Sequence, residues 1–480
     1  MTQTMTIALL FHAFLVASFS IRILLRDDFS PPARLAWFIV LNVLPYFGSV
    51  AYFLFGEIDL GNRAHRLHDQ VFAELREKAA HFMGDRDSIN QLIPRIYRPA
   101  FYYAASINGF HPVAGNRAEL LADADETVRQ MVADMDAATD HIHVLYYIWL
   151  DDETGTAVAE ALIRAARRGV TCRAIADGLG SRHLIGSVLW HRMKLAGVQL
   201  AVALPYNRLF RTILTSRLDL RNHRKITVID AAITYCGSRN CADPEFLPKA
   251  RYAPWIDIML RLQGPVVAQN QLLFASDWMQ ATGQSCNCIP LQAVALKDGF
   301  PALVMGAGPT ERPKVTPQLF VSLFASAERS LTLTTPYFVP DATTLEALCA
   351  AALRGVHVTL IFPERNDSWV VAAASHSYYH QLLDAGCRIY EHGHGLLHAK
   401  TLTVDGKVSL IGSSNLDLRS FDLNYENNIL LYDEAVTASI DQRQQQYLAD
   451  SRRVELPEVL SWPFYRRIWN NVIATIGPVL

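Results

Sequence analysis

The stretches NHRKITVID (Asn222–Asp230) and LHAKTLTVD (Leu397–Asp405) share one spacing: His, any residue, Lys, four residues, Asp. Their histidines, His223 and His398, stand 175 positions apart. Each motif continues alike. KITVIDAAITYCGSRN (225–240) and KTLTVDGKVSLIGSSN (400–415) alternate as β-hairpins, the second turning at Asp405-Gly406, a strong two-residue turn signal. Along a strand, residues two apart face the same way, so His223 projects with Lys225 and His398 with Lys400. The returning strand then carries Gly-Ser-x-Asn: Ser238 and Asn240 in one copy, Ser413 and Asn415 in the other.

The repetition reaches upstream of the motifs. MVADMDAATDHIHVLYYIWLDD (131–152) followed by ALIRAARRGVTCRAIADG (161–178) matches FVSLFASAERSLTLTTPYFVPD (320–341) followed by ALCAAALRGVHVTLIFPE (347–364). Each copy reads helix, strand, a loop ending in Asp152 or Asp341, helix, then Arg-Gly-Val into a second strand. Gly169 and Gly355 are placed to end those helices. Helices alternating with β-rich runs imply an α/β domain, and a period this long implies one domain duplicated rather than a solenoid.

The bulk numbers leave room for such a pair. The chain has 480 residues, long enough for two domains and an addition. Its formal charge of −2 gives no general attraction to nucleic acid. Seven cysteines lack zinc-site spacing and read as buried, reduced thiols; Cys286 and Cys288 are too close together and lack a matching pair.

Half of the residues, 51%, are hydrophobic, with the excess at the start. MTIALLFHAFLVASFSIRILL (5–25) and LAWFIVLNVLPYFGSVAYFLF (35–55) are each long enough to cross a hydrocarbon core of about 30 Å as a helix. A polar turn with two prolines joins them, and Trp37 and Tyr52 are read as interfacial anchors. The expectation is a transmembrane hairpin over 1–58, with Pro45 a tolerated kink. Arginines flank both ends, so charge does not orient it. Residues 59–112 read as a solvated helical spacer, 113–292 as the first α/β domain and 293–480 as the second. The aromatic ending SWPFYRRIWNNVIATIGPVL (461–480) reads equally as an interfacial element or a packed terminal helix.

Two His, two Lys and two Asn converging between duplicated halves would form an anion pocket. Lysines neutralise phosphoryl oxygens, while the Ser and Asn side chains offer hydrogen bonds. Neutral imidazole can attack phosphorus, and a protonated one can supply a leaving alkoxide with its proton. A metal fits poorly, because lysine is a weak ligand at neutral pH and no HExxH or Cys cluster accompanies it. The Asp of each motif falls at the hairpin turn, where ordering the turn is its simplest use.

The doubled motif with its Gly-Ser-x-Asn resembles the phospholipase D superfamily. The apolar start, PWIDIMLRLQGPVVAQNQLLFASDW (254–278) and GSSNLDLRSFDLNYENN (412–428) resemble, more narrowly, the bacterial cardiolipin synthases. That resemblance implies two α/β/α sandwich domains related by a pseudo-two-fold axis, behind a membrane hairpin. It implies a catalytic set of His223, Lys225, Asp230, His398, Lys400 and Asp405. Phosphate binding falls to Lys225, Ser238, Asn240, Lys400, Ser413 and Asn415. A carboxylate downstream of each motif, Asp257 or Glu426, braces a histidine ring. Arg419 and Ser420 match the family's Arg-Ser after the second Gly-Ser-x-Asn, whereas the first half reads CADPEFLPKARYAPWID (241–257) and lacks it.

The implied reaction is transphosphatidylation between two phosphatidylglycerol molecules, giving cardiolipin and glycerol through a phosphatidyl-histidine. His223 is the expected nucleophile and His398 the acid, then the base. The implied partners are membrane phosphatidylglycerol and cardiolipin, with no nucleic acid, metal or cofactor. The implied location is a bacterial inner membrane, multi-pass, with the catalytic domains cytoplasmic. A membrane-anchored hydrolase releasing phosphatidic acid uses the same residues, and a non-catalytic lipid-binding scaffold is the reading from another class.

Overall fold

A computed structural model describes residues 3–27, 29, 31–56, 61–205, 219–285, 290–291 and 294–476. Cys286, Cys288 and the expected boundaries at 58/59 and 292/293 lie outside them.

Residues 65–206 and 220–478 make up one compact unit, built twice over from the same plan. In the first half the strand order is Val113–Leu120, Met259–Gln263, Ile233–Gly237, Lys225–Ile229, His141–Tyr146, Thr171–Asp177, Gln199–Ala203. In the second half it is Phe300–Ala307, Asn424–Tyr432, Val408–Gly412, Thr401–Val404, Ser330–Thr334, His357–Pro363, Arg388–His392, with Ser451–Val454 added at the edge. Position for position the two lists correspond. The leading strands pair with each other antiparallel, Val113 opposite Ala302 and Asn116 opposite Phe300. Equivalent strands meeting head to tail place a two-fold relation between the halves, and the sheet runs unbroken through it. The expected pair of domains is therefore one continuous body with two sandwich halves.

Helices cover both faces. Ala124–Ala137 and Glu153–Arg167 pack on one face of the first half, and Val266–Thr282 on the other. In the second half Val315–Ser326 and Ala342–Leu353 pack on one face and Glu434–Ala449 on the other. Their ends follow the sequence signals. Asp152 caps its helix through the Gly155 amide at 2.9 Å and Asp341 caps through Thr344 at 2.8 Å. Gly169 and Gly355 follow the last turns at φ 91° and 96°, where a Cβ is disfavoured. One apolar cluster joins Leu145, Ile226 and Leu260 of the first half to Ile411, Ile429 and Leu431 of the second. The five described cysteines are buried thiols.

The stretch expected to be a solvated spacer is packed instead. Val71, Phe72, Leu75 and Ala79 on one face of the helix Gly61–Ala79 are buried in the shared cluster. Tyr97, Phe101 and Ala104 in and before Arg98–Asn108 are buried in the second half's core. Their apolar residues recur at helical spacing beneath a charged outer face, and that stripe outweighs the overall polarity.

The N-terminal residues 1–64 belong to a separate unit. Gln3–Leu24 is long and apolar enough to cross a membrane and is almost wholly exposed. The second expected span is not one helix. It runs Pro31–Val43, breaks, resumes at Phe47–Ala51 and widens into a π-turn at Tyr52–Gly56. Pro45 has no N–H to donate and its ring crowds the preceding turn, so the helix stops there, with Tyr46 at φ 60°. Among the described residues one helix, not two, satisfies the length of a span, and the multi-pass expectation is corrected to that extent. Tyr52 is not an interfacial anchor: it is buried with Ile23 and Leu41, edge-on to Trp37 at 5.1 Å.

Both motif hairpins turn through two residues with positive φ: Asp405 and Gly406 at 55° and 68°, Asp230 and Ala231 at 51° each. An L-residue in that region costs about 1 kcal/mol that glycine avoids. Ala231→Gly should therefore raise stability in urea by about 1 kcal/mol, and Gly406→Ala should lower it by a similar amount.

Candidate active site

Two short strands are exchanged between the halves. Arg221–Asn222, just ahead of His223, pairs in parallel with Asn424–Tyr425. Leu396–Leu397, just ahead of His398, pairs in parallel with Trp255–Ile256. Each motif histidine is thus hung by its backbone on the opposite half: His223 N donates to Tyr425 O and His398 N to Ile256 O, both at 2.8 Å. The next residue along each receiving strand is a carboxylate. His223 Nδ1 lies 2.9 Å from Glu426 Oε2, and His398 Nδ1 lies 2.7 Å from Asp257 Oδ1. Asp257 and Glu426 do brace histidines, but crosswise, each serving the motif of the other half.

Burial pushes the His223 imidazole down to about 4 and lowers His398 as well. Burial alone would raise the two carboxyls. Their histidine partners, the nearby lysines and serine hydroxyls outweigh it, so Glu426 is lowered and Asp257 is held well below the carboxylate range. Both pairs are neutral imidazole against carboxylate, with Nδ1–H donated to the acid and the Nε2 lone pair left over.

Lys225 and Lys400 are buried beside them. Each Nζ donates to the carbonyl of its own motif histidine, at 2.6 Å and 2.5 Å. An ammonium carries three N–H groups, so two remain on each for a ligand. Desolvation pulls Lys225 down to about 8 and Lys400 to about 7. Lys400 also lies near enough to His223, and Lys225 to His398, to disfavour protonation of the other motif's ring. Two imidazoles and two ammonium groups therefore share one electrostatic site.

The remaining expected residues sort differently. Ser238 Oγ donates to Asp257 at 2.6 Å, and Ser413 Oγ donates to Glu426. Each hydroxyl has one proton, and here it goes to a bracing carboxylate. Asn240 and Asn415 are buried, and the Oδ1 of each has no partner among the described residues. Asp230 and Asp405 are not in the site. Asp230 accepts from the amides of Thr139, Asp140 and His141, and Asp405 from Glu328, Arg329, Ser330 and the Tyr97 hydroxyl. Five residues of strand, roughly 17 Å, separate Asp230 from Lys225. These aspartates lock the hairpin turn to the loop entering a neighbouring strand.

Further residues surround the pair of histidines, of which the sequence pointed by name only to Ser420, through the family's Arg-Ser. Tyr147 stands edge-on to His223 at 4.9 Å, and Trp255 packs on His398 at 4.6 Å. Ser420 and Asn424 add bonds of 2.9 and 3.2 Å to Glu426. Asn427 pairs with the Lys225 backbone through its side chain. Glu426 thus has three donors besides its histidine, and Asp257 has Ser238 alone among the described side chains.

The halves differ most beside the braces. Arg224 is buried, donating to Asp277 at 2.7 Å and to the carbonyls of Glu426 and Ala307, and stacking over Tyr425. In the motif its counterpart is Ala399, and counting on from the matched strands Met259–Gln263 and Asn424–Tyr432 puts Gln446 at the position of Asp277. Beside Asp257 lies a cavity of about 360 Å³ lined in part by Asp123, Ile256, Asp257 and Gln446.

The chain resembles known proteins. The family described as "Cardiolipin synthase, PLD-like domain" matches residues 131–277 and 320–448, and "Phospholipase_D-nuclease N-terminal" matches 13–57. Cardiolipin synthase A of Serratia proteamaculans is 36% identical over 97% of this chain and 96% of its own length. That of Proteus mirabilis is 34% identical over 98% and 97%. Among solved structures, phosphatidylserine synthase of Haemophilus influenzae superposes with a TM-score of 0.58 at 16% identity, over 80% of this chain and all of its own; it shares the fold.

Two predictions follow from the buried charges. Arg224→Ala leaves Asp277 buried without its cation and should cost about 3–5 kcal/mol in a denaturant titration, much of it recovered in the Arg224→Ala/Asp277→Ala pair. Both lysines must be protonated to hold a tetrahedral oxyanion. Tungstate binding, followed by calorimetry, should therefore weaken as pH rises past 7 to 8, by roughly tenfold or more per pH unit near pH 9.

Proposed function

The chain belongs to the cardiolipin synthases of the phospholipase D-like family, and from that premise we propose that it makes cardiolipin from two phosphatidylglycerol molecules. The observation that carries this reading is the crossed pair of imidazole–carboxylate bonds with a lysine beside each.

His223 is the nucleophile. Its ring is neutral at physiological pH because burial depresses its basicity, and Glu426 holds Nδ1–H so that Nε2 presents a lone pair. A glycerol phosphodiester arriving between Lys225 and Lys400 is a monoanion, and it offsets their charge. That relieves the repulsion on His398, which then takes up a proton from solvent, stabilised by Asp257. Nε2 of His223 bonds to phosphorus, the P–O bond to glycerol breaks, and His398 protonates the departing alkoxide. The imidazolium of the phosphatidyl-histidine is stabilised by Glu426, whose extra donors from Ser413, Ser420 and Asn424 keep it anionic.

The second phosphatidylglycerol then offers its terminal hydroxyl. His398, now neutral, takes that proton. The oxygen attacks phosphorus and His223 is released. One phosphodiester is exchanged for another, so no nucleotide is consumed. Water is the competing acceptor, and the burial of both rings limits its access. The apolar helix Gln3–Leu24 supports membrane association, where both lipids are found. We assign the catalytic body to the cytoplasmic side of a bacterial inner membrane, a setting in which its buried cysteines remain reduced thiols.

The test is direct. Purified enzyme given phosphatidylglycerol alone should yield cardiolipin and glycerol by mass spectrometry; phosphatidic acid as the main product would overturn the transferase reading. His223→Ala should lose labelled lipid trapped on the protein and at least about 10³-fold of the rate. Trapping that persists in this variant would move the nucleophile to another residue.

A further inference from the structure

The helix Phe464–Ile476 is pinned by one face only. Its inner side chain Ile473 packs with Val339, Ala373 and Ala374. The opposite face carries Tyr465, Ile468, Trp469 and Val472 at i, i+3, i+4 and i+7, with Phe464 at the start, exposed from 45% for Val472 to 75% for Phe464. Trp369, 63% exposed at the head of the helix Trp369–Ser377, stacks on Trp469 at 6.0 Å and extends the same face. An apolar stripe of this size is not what a soluble surface tolerates.

Its chemistry specifies the occupant. Three of the five outer residues on the terminal helix are aromatic, and two of those have a polar edge. Arg466 lies over the Trp462 ring at 3.9 Å, and Arg467 is exposed. Neither helix contains Asp or Glu. Aromatic belts with arginine beside them suit the boundary between lipid headgroups and acyl chains, and the missing acids suit an anionic surface. The helix has 13 residues, about 20 Å, too short to cross a hydrocarbon core but long enough to lie along its edge.

Its position ties it to the site. Beneath the helix, Val339 and Leu418 form part of its bed. Leu418 is two residues from Ser420, which bonds Glu426. Trp369 is two residues beyond Asp367, which accepts from Tyr337, and the Tyr337 ring is edge-on to His398 at 6.4 Å. The bed of the helix and Trp369 thus each lie two residues along the chain from a group tied to the site, Ser420 on one side and Asp367 on the other.

We infer that Trp369 and the outer face of Phe464–Ile476 form a second membrane contact, a monotopic one, that seats the mouth of the active site in an anionic bilayer. The occupant is the lipid surface rather than a second copy or a soluble protein, because the face joins exposed aromatics to Arg466 and Arg467 and carries no acid. The contact itself stands apart from the proposed reaction; only the activity measurement below depends on it.

The full chain in vesicles of phosphatidylglycerol and phosphatidylcholine provides the test. Emission lost in Trp369→Phe/Trp469→Phe reports those two indoles. It should be quenched by about half or more when the phosphatidylcholine is brominated high on its acyl chains, and only weakly by acrylamide. Strong acrylamide quenching without quenching by brominated lipid would overturn the inference, as would protection from both with a cross-linked dimer. Ile468→Glu/Val472→Glu should slow turnover of vesicle phosphatidylglycerol about tenfold and leave short-chain, dispersed phosphatidylglycerol within about twofold. Equal slowing on both substrates would assign this face to folding and overturn it. If no turnover occurs with any protein, the fluorescence result still decides.

Discussion

Two hydrogen bonds organise this molecule: His223 to Glu426 and His398 to Asp257, each crossing from one half to the other. A ring held by a carboxylate on its own half could survive if the halves separated. A ring held across the seam cannot. The buried histidines, lysines and carboxylates would each be costly to desolvate alone, by several kcal/mol per charge. They are tolerable because each finds its partner at hydrogen-bond distance, and those distances require the halves to be fixed relative to each other. The continuous sheet, the exchanged two-residue strands and the shared apolar cluster supply that rigidity.

Duplication explains the symmetry, and the departures from it are chemically coherent. Glu426 is surrounded by serine and asparagine donors, and its strand is tied to Lys225 through Asn427. Arg224 and Asp277 fill the space behind it. Asp257 has a lighter set of partners, and a cavity lined in part by Gln446 adjoins it. A nucleophile needs a fixed ring, and the denser hydrogen bonding around Glu426 holds its brace in place. The two half-sites differ in that sense, which fits the unequal roles assigned to His223 and His398.

The outer parts serve the substrate rather than the chemistry. A lipid phosphodiester cannot diffuse to a buried site through water, so the protein must come to the bilayer. The helix Gln3–Leu24 is long and apolar enough to hold the chain there, and the catalytic body exposes the aromatic face of Phe464–Ile476. Anchoring and orientation are separate physical tasks, and a single span accomplishes only the first.

Local pattern was enough for much of this. The doubled spacing identified His223, Lys225, His398 and Lys400, because a strand's two-residue period puts each pair on one side wherever the strand lies. The capping residues Asp152 and Asp341 and the terminating Gly169 and Gly355 were legible for the same reason: their bonds reach only a few residues away. What depended on the fold was every contact between distant segments. Downstream order placed Asp257 with the first motif and Glu426 with the second; the strand exchange reverses the pairing. Ser238 and Ser413 looked like phosphate ligands until the carboxylates beside them took their protons. Asp230 and Asp405 shared the motif but not the site, because a strand carries its two ends far apart. The charged stretch before Pro99 proved to have a buried face, and Pro45 split a segment that hydrophobicity alone had joined. Periodicity and composition record what a residue prefers, whereas burial and partnership are decided by what the chain brings next to it.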